Sequence, residues 1–197
     1  MGGSLTSFIR KHTRNILNSI VGSLDRLGVN PNLLTIIGAA GHLLAAGLIG
    51  AGFFISGALT LLFFGLFDAL DGALARYQHK TSEFGAFLDS ICDRFSEGFI
   101  FIGLFLYFSS RSSMLGNSLV VISALGSVWV SYARARAESI GVVPTIGLMT
   151  RLERYIVLVI ALLIDKIEIG LAVIAVLSLF TIGQRIWFVH RELELKK

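Results

Sequence analysis

The chain has 197 residues, of which 54% are hydrophobic and 15% charged, and its formal net charge is +4. With a mean hydropathy of +0.78 and only two prolines, it is too apolar for an ordinary soluble domain of this length, so an integral membrane protein is predicted. The positive charge indicates attraction to anionic inner-leaflet lipid. The sequence has no basic stretch interleaved with aromatic residues, so a nucleic-acid partner is not predicted.

Residues 1–29 are predicted to form a cytoplasmic interfacial helix. Apolar residues recur there at helical spacing and basic residues take other positions, a pattern typical of a helix lying in the membrane interface. The apolar set is Phe8, Ile9, Ile16, Leu17, Ile20, Val21 and Leu24, and the basic set is Arg10, Lys11, Arg14 and Arg26. A disordered basic tail is the alternative. Proline is favoured at a helix start, so Pro31 indicates that the first membrane span begins near Asn32. The membrane domain is therefore predicted to cover 30–197.

Six stretches approach the length of about 20 apolar residues that a membrane-spanning helix needs. They are 32–52, 54–75, 84–108, 115–136, 152–165 and 167–189. The sequence DKIE at 165–168 is all that separates the last two. The predicted fold class is therefore an all-α membrane protein with six transmembrane helices after an amphipathic interfacial helix.

The placement of lysine and arginine predicts the orientation of these spans. Of 17 such residues, only Arg111 and Lys166 fall in turns that a six-span arrangement puts outside. Because cytoplasmic loops carry the excess of positive residues, both termini are expected to face the cytoplasm, in the cell membrane.

Four aspartates lie close together in an otherwise apolar part of the chain. Asp68 and Asp71 are three residues apart near the end of the second span, and Asp89 and Asp93 are four apart near the start of the third. Each pair therefore shares one helical face. Because the intervening loop 77–83 is short, the two spans are predicted to be antiparallel neighbours whose four carboxylates converge at one depth.

Carboxylates at this depth need compensation, since one unpaired charge at the centre of a membrane helix costs about 2.5 to 3.5 kcal/mol and less near its edge. Oxygen ligands without histidine or cysteine favour magnesium, manganese or calcium over zinc. Two such ions about 3.5 to 4 Å apart commonly clamp a phosphoryl group. The alternative is a purely structural pairing of the aspartates with Arg76 and Arg94.

The residues between the aspartates favour a metal-diphosphate site. Gly72, Ala75 and Gly85 leave the helix faces beside the carboxylates nearly bare, so a bulky ligand can approach the backbone. Arg76 follows at the membrane edge, where a guanidinium pairs well with phosphate oxygens.

The spacing Asp68-x2-Asp71-Gly72-x2-Ala75-Arg76-x8-Gly85-x3-Asp89-x3-Asp93 matches all eight fixed positions of the signature DxxDGxxARx8GxxxDxxxD. On this motif the chain resembles the CDP-alcohol phosphotransferase, or CDP-alcohol phosphatidyltransferase, family. The six-span layout and the interfacial helix also resemble that family.

The resemblance implies transfer of a phosphatidyl-type group from CDP-diacylglycerol or a similar CDP-linked lipid to an alcohol, with release of CMP. It implies Mg²⁺ or Mn²⁺, two divalent cations, and a homodimer. By the same resemblance Asp68, Asp71 and Asp89 bind metal, and Asp93 completes the metal site and acts as the general base. The implied CDP-lipid pocket comprises Gly72, Ala75, Arg76 and Gly85 with Pro31 and Thr35.

A second cluster bears on the acceptor alcohol. The stretches SYARARAES at 131–139 and TRLERY at 150–155 are rich in arginine, and Arg185 follows in the last span. They resemble the phosphatidylinositol phosphate synthases of actinobacteria and their archaeal counterparts, which implies a phosphorylated polyol, best matched by inositol 1-phosphate. The acceptor phosphate is then expected at Ser131, Arg134, Arg151 and Arg185. Glycerol 3-phosphate is the runner-up, and some of these arginines are expected only to pair with Glu138 and Glu153.

A cation transporter is the alternative from a different class, because intramembrane carboxylates can line an ion path. Such a protein is expected to show inverted repeats and broken helices near the midplane. The sequence shows no evident repeat and places its acids near one surface, which favours the enzyme.

Overall fold

A computed structural model describes residues 19–195. Helical residues 19–26 precede six helices: α1 Pro31–Gly50, α2 Phe54–Tyr77, α3 Glu83–Ser110, α4 Met114–Ser139, α5 Arg151–Leu163 and α6 Ile167–Glu194. The prediction of an all-α protein is confirmed. Most of the predicted interfacial helix, including Phe8, Ile9, Ile16 and Leu17, lies outside the described residues, and the 1–29 and 30–197 division stays a prediction.

Four helices, α1, α2, α4 and α6, are long and apolar enough to cross a membrane. Helix α3 has 28 residues, but Asp89, Asp93, Arg94 and Glu97 interrupt its apolar surface. Helix α5 has 13 residues and is therefore about 20 Å long, less than the hydrocarbon thickness of about 30 Å. Length and composition thus support four of the six predicted spans.

The helices divide into two compact units. The first contains the described residues up to Leu43 together with Thr60–Glu97, and the second contains Leu44–Leu59 and the residues from Gly98 onward. The first unit carries the four aspartates and the second carries the arginine-rich stretches.

In the first unit, the helical residues 19–26 pack against α1 and α2. Val21 is buried with Leu34 and Leu74 in one apolar cluster. The Gln78 side-chain amide, just after α2, donates to Asp25 Oδ1 at 3.0 Å and to the Val29 carbonyl at 3.1 Å. These contacts fix the chain that enters α1 beside the cytoplasmic end predicted for α2.

In the second unit, α4 and α6 run parallel. Ser113 Oγ, just before α4, donates to Glu168 Oε1 at 3.4 Å, and Ser123 Oγ donates to the Leu171 carbonyl at 2.9 Å. Further on, a side-chain N–H of Arg185 donates to the carbonyl of Val130. The partners advance in the same direction along both helices.

Helix α5 runs antiparallel to α6, since Gly170 lies against Ala161 near one end and Met149 N donates to Thr181 Oγ1 at 3.0 Å near the other. A Cβ at Gly170 would lie 2.4 Å from the Ala161 Cβ, so only glycine permits this approach.

Residues 142–150, before α5, are not helical, although Val142, Pro144 and Met149 are buried. Besides Met149, Leu148 N donates to Gln184 Oε1 at 3.3 Å. The side chains of α6 thus satisfy backbone donors that would otherwise be costly to bury.

Candidate active site

The aspartate site comprises Asp68 and Asp71 of α2 with Asp89 and Asp93 of α3. Carboxylate oxygens of Asp68, Asp71 and Asp89 lie within 4.8 Å of one another. Asp71 is buried, Asp89 is half-buried and Asp68 is exposed. Asp93 is half-buried one turn after Asp89 and is not a member of this close group of three.

Asp71 is held in place through both carboxylate oxygens. Thr35 Oγ1 donates to Oδ2 at 2.5 Å, and the Gly72 backbone N–H donates to Oδ1 at 2.5 Å. Each carboxylate oxygen accepts at more than one position, so these bonds fix the carboxylate and leave acceptor positions for a cation. The sequence analysis assigns Thr35 to the CDP-lipid pocket and does not anticipate its bond to Asp71.

The chemistry of the three close carboxylates fits a hard divalent cation. Negative charges this close repel one another in a site partly withdrawn from water. The ligand set is oxygen only, as magnesium and manganese prefer. Asp68, Asp71 and Asp89 are therefore the residues that can hold the metal.

A cavity of about 540 Å³ opens beside the carboxylates. All six residues predicted for the CDP-lipid pocket line it: Pro31, Thr35, Gly72, Ala75, Arg76 and Gly85. The sequence analysis missed the lining residues Asn32, Lys80, Thr81 and Ser82. Only their positions in the sequence could have identified them, since Asn32 directly follows Pro31 and the other three directly precede α3.

Gly85 lines this cavity without a side chain. Its backbone N–H donates to Ser82 Oγ at 3.0 Å, which satisfies one of the free donors at the start of α3. A Cβ at position 85 would lie 3.1 Å from Ser82 Oγ and 3.4 Å from Asn32 Oδ1. The absence of a side chain at Gly85 therefore lets the polar groups of Ser82 and Asn32 approach the backbone of α3.

Arg76 lies one helical turn after Gly72. A Cβ at Gly72 would lie 3.3 Å from Arg76 Nη1, so the guanidinium folds back over the bare surface of α2. The side chain is exposed. Arg76 and Lys80 give the cavity a cationic rim that suits a diphosphate.

The arginine region lies in the second unit and comprises the α4 residues Ser131 and Arg134, the α5 residues Arg151 and Arg154, and Arg185 of α6. Arg185 is only 4% exposed. Its Nε donates to the Ile146 carbonyl at 3.4 Å, and another guanidinium nitrogen donates to the Val130 carbonyl. The charges of Arg134 and Arg154 lie close enough to act on it electrostatically.

The other predicted acceptor residues differ in exposure. Arg134 is exposed and its Nε donates to Glu138 Oε1 at 2.8 Å, a pairing expected from the sequence. Ser131 Oγ donates to the Ser127 carbonyl at 3.0 Å, and Arg151 is half-buried at the start of α5. Arg154 does not belong to the predicted acceptor set. It is 3% exposed, so it is a buried arginine like Arg185.

Glu153 also caps helix α5. It accepts from the backbone N–H of Thr150 at 2.9 Å and from the Thr150 hydroxyl. This arrangement is a capping box, which stabilises the first turn of α5. Because Arg151 and Arg154 both lie in this first turn, the cap fixes the positions of their backbones.

Comparison with known proteins finds that the family model described as CDP-alcohol phosphatidyltransferase matches residues 28–190. An archaetidylinositol phosphate synthase of Pyrococcus horikoshii is 38% identical over 97% of this chain and 100% of its own length.

Solved structures of a Mycobacterium tuberculosis phosphatidylinositol phosphate synthase are also similar. The one with CDP-DAG bound has a TM-score of 0.83 and 34% identity, covering 89% of this chain and 94% of that chain. The complex with manganese and citrate has a TM-score of 0.81 and 33% identity, covering 88% of each chain.

Proposed function

Because the chain belongs to the CDP-alcohol phosphatidyltransferase family, we propose that it transfers a phosphatidyl group from CDP-diacylglycerol to the hydroxyl of a phosphorylated polyol and releases CMP. The chain is a transferase of phospholipid synthesis and a membrane protein with several membrane-spanning helices. The observation that carries the proposal is the group of three carboxylates whose oxygens lie within 4.8 Å of one another, beside a cavity with a cationic rim.

The cavity in the first unit is the proposed donor pocket. Arg76 and Lys80 bind diphosphate oxygens, and Gly72, Ala75 and Gly85 let the nucleotide approach the helix backbones. Pro31 and Thr35 lie on the side where the cytidine binds. In support, the similar M. tuberculosis enzyme has been solved with CDP-DAG bound.

Members of this family use divalent cations, and the similar M. tuberculosis enzyme has been solved with manganese. We assign Asp68, Asp71, Asp89 and Asp93 as the ligands of two such ions. When bound, the cations neutralise the diphosphate and stabilise the negative charge of the departing CMP. The bonds from Thr35 and Gly72 keep Asp71 in one orientation, so the ligand does not have to reorganise when the site fills.

Asp93 is the proposed general base. Its carboxylate accepts the proton of the acceptor hydroxyl as that oxygen attacks the phosphorus that carries the diacylglycerol. A new phosphorus–oxygen bond forms, the bond to the bridging oxygen breaks in line, and that oxygen leaves with CMP. Asp93 suits this role because it shares the α3 face of Asp89 but lies one turn beyond the close group of three.

The proposed acceptor is inositol 1-phosphate, giving phosphatidylinositol phosphate. The assignment is supported by the similarity to archaetidylinositol and phosphatidylinositol phosphate synthases. We assign Ser131, Arg134, Arg151 and Arg185 to the acceptor phosphate. A guanidinium carries five N–H donors, so Arg185 can bind its two backbone carbonyls and still donate to a phosphate.

We further propose that both termini and the aspartate site face the cytoplasm, where CMP and a phosphorylated polyol are soluble, and that the enzyme is a homodimer. The orientation rests on the placement of lysine and arginine: of 17 such residues, only Arg111 and Lys166 lie in the turns 51–53, 111–113 and 164–166 that are predicted to lie outside.

The test is release of CMP by the purified protein with CDP-diacylglycerol and magnesium or manganese. Inositol 1-phosphate, glycerol 3-phosphate, free inositol and serine are compared as acceptors. Release with inositol 1-phosphate alone is expected. Release only with another acceptor would keep the aspartate chemistry and discard the assigned acceptor, and release with none would overturn the proposed reaction.

A further inference from the structure

A groove of about 490 Å³ lies between the last turns of α4 and α6, in the second unit. On α4, Trp129, Ala133 and Arg136 line it. They are four and three residues apart, so they follow one face of the helix. On α6, Ile186 and His190, again one turn apart, form the opposite wall. Because α4 and α6 are parallel, Arg136 and His190 lie at the same end of this α4–α6 groove.

The groove opens on a surface suited to lipid. Trp129 is 48% exposed and Ile186 is 64% exposed, and both belong to helices long and apolar enough to span the membrane. Exposed apolar side chains on a spanning helix can pack against acyl chains. The small side chain of Ala133 leaves space between the bulkier residues, so an acyl chain can lie along the groove.

The polar end of the groove is cationic. Its basic lining residues are Arg136, His190 and the deeper Arg185, and among the described lining residues none is a carboxylate. Arg136 is exposed at the end of α4, where its Nη1 donates to Ser139 Oγ at 3.2 Å. Glu194, which is not among the lining residues, lies 3.3 Å from His190.

The distribution of charge identifies the occupant. An apolar slot that ends in a guanidinium at the membrane edge matches a molecule with an acyl chain and an anionic head. A second copy of the chain packed here by two-fold symmetry would bring the same cations together, which is unfavourable. A lipid of zero net charge would fill the slot but bring no net negative charge to Arg136.

We propose that the α4–α6 groove binds an anionic bilayer phospholipid, with one acyl chain along Ala133 and Ile186 and the phosphate at Arg136. This site lies outside the donor cavity, since the residues that line the groove and the cavity belong to different units. The groove shares Arg185 with the assigned acceptor site, but the lipid phosphate is placed at Arg136, and the proposal holds for any acceptor alcohol.

The two tryptophans of the chain provide a direct test. Trp129 lines the groove, whereas Trp187 is 58% exposed and is not among its lining residues. The full-length Trp187→Phe protein is reconstituted in phosphatidylcholine vesicles that contain phosphatidylglycerol or phosphatidylcholine brominated on the acyl chains. We expect Trp129 fluorescence to be quenched at about fivefold lower mole fraction of the brominated phosphatidylglycerol, the selectivity of one arginine near anionic lipid.

Variants separate this site from general attraction of anionic lipid. Arg136→Gln should abolish the preference at Trp129, and Ala133→Leu should weaken quenching by filling the groove. Arg191→Gln is the matched control, because Arg191 lies over the Trp187 ring at 5.6 Å and does not line the groove. In the Trp129→Phe protein, Arg136→Gln should leave the quenching of Trp187 unchanged.

Retained CMP release in each variant shows that it is folded. Equal quenching of Trp129 by the two brominated lipids would overturn the proposal, as would a preference that survives Arg136→Gln. Quenching by neither lipid would also overturn it, because it would show that another occupant, such as a second copy of the chain, covers the groove.

Discussion

At the aspartate site, carboxylate oxygens from α2 and α3 lie within 4.8 Å of one another, whereas in the arginine region guanidinium groups bind acceptors of the protein itself. Arg134 pairs with Glu138, and Arg185 donates to two backbone carbonyls. Both regions concentrate one sign of charge. They differ in what compensates that charge, and this difference predicts how each will respond to substitution.

The close carboxylates of the aspartate site are the ligands proposed for divalent cations. Removing or misplacing one ligand should therefore act on metal affinity and on the rate of the chemical step. The arginines are already held by the protein, so each is preorganised and should contribute mainly to the binding of one substrate. The four substitutions below test this contrast, from the largest expected effect to the smallest.

Asp93→Asn should lower kcat by about 10²- to 10⁴-fold, because an amide cannot accept the proton of the acceptor hydroxyl. Binding of CDP-diacylglycerol should partly survive, which calorimetry on the purified variant measures. Asp165→Asn is the matched control, since Asp165 is exposed at a positive φ of 54°, which asparagine tolerates. Full activity of Asp93→Asn would remove the general-base role.

Thr35→Val should weaken manganese binding by about 10- to 100-fold, the usual effect of losing a group that orients a metal ligand. Valine keeps the shape of threonine but cannot donate to Asp71. Thr35→Ser restores the hydroxyl and should recover the affinity, as followed by the electron paramagnetic resonance of free Mn²⁺. Equal loss in both variants would indicate a packing effect instead.

Arg134→Gln should raise the KM of the phosphorylated acceptor about tenfold, as expected for loss of a charge-assisted hydrogen bond. The KM of the CDP-lipid should change little. Arg134 is preferred to Arg185 for this test because it is exposed, whereas Arg185→Ala would also leave the Val130 and Ile146 carbonyls without their donor. An increase confined to the donor KM would move Arg134 out of the acceptor site.

Gly85→Ala should have the smallest effect, and it should change the KM of the CDP-lipid donor without lowering the stability of the fold. Alanine in place of glycine adds about 0.5 to 1 kcal/mol of stability in the middle of a helix, but Gly85 lies in the first turn of α3 and its Cβ would lie 3.1 Å from Ser82 Oγ, so little change in stability is expected. The new Cβ would crowd Ser82 and Asn32 on the cavity wall, so the donor KM should rise about fivefold, by analogy with mild overpacking. Gly183→Ala, where a Cβ meets no atom within 4 Å, is the control. An unchanged donor KM would show that the wall at Gly85 does not contact the nucleotide.

The same contrast explains what could be predicted from the sequence. The positions of Asp68, Asp71 and Asp89 follow from helical spacing and one short loop, so the hairpin that brings them together is a local property of the chain. The six predicted pocket residues line one cavity for the same reason. Four of them lie on this hairpin, and the other two, Pro31 and Thr35, lie one turn apart on α1. Local spacing determines helical faces reliably.

The remaining features depend on contacts between distant parts of the chain. The bond from Thr35 to Asp71 joins residues 36 positions apart, and the bond from Arg185 to Val130 joins residues 55 positions apart. In the non-helical segment 142–150, Thr181, Gln184 and Arg185 of α6 all bind backbone groups. No pattern in residues 142–150 alone indicates those partners, so the surroundings of Arg185 could not be predicted.

The most direct measurement is CMP release from CDP-diacylglycerol by the wild type and by Asp89→Asn as manganese is titrated, with inositol 1-phosphate present. The aspartate site predicts no release by the wild type after chelation. It also predicts a loss of about 10²-fold or more in Asp89→Asn at the manganese concentration that saturates the wild type. Undiminished release by Asp89→Asn, or by the chelated wild type, would contradict the assignment of these carboxylates as the metal site of the reaction.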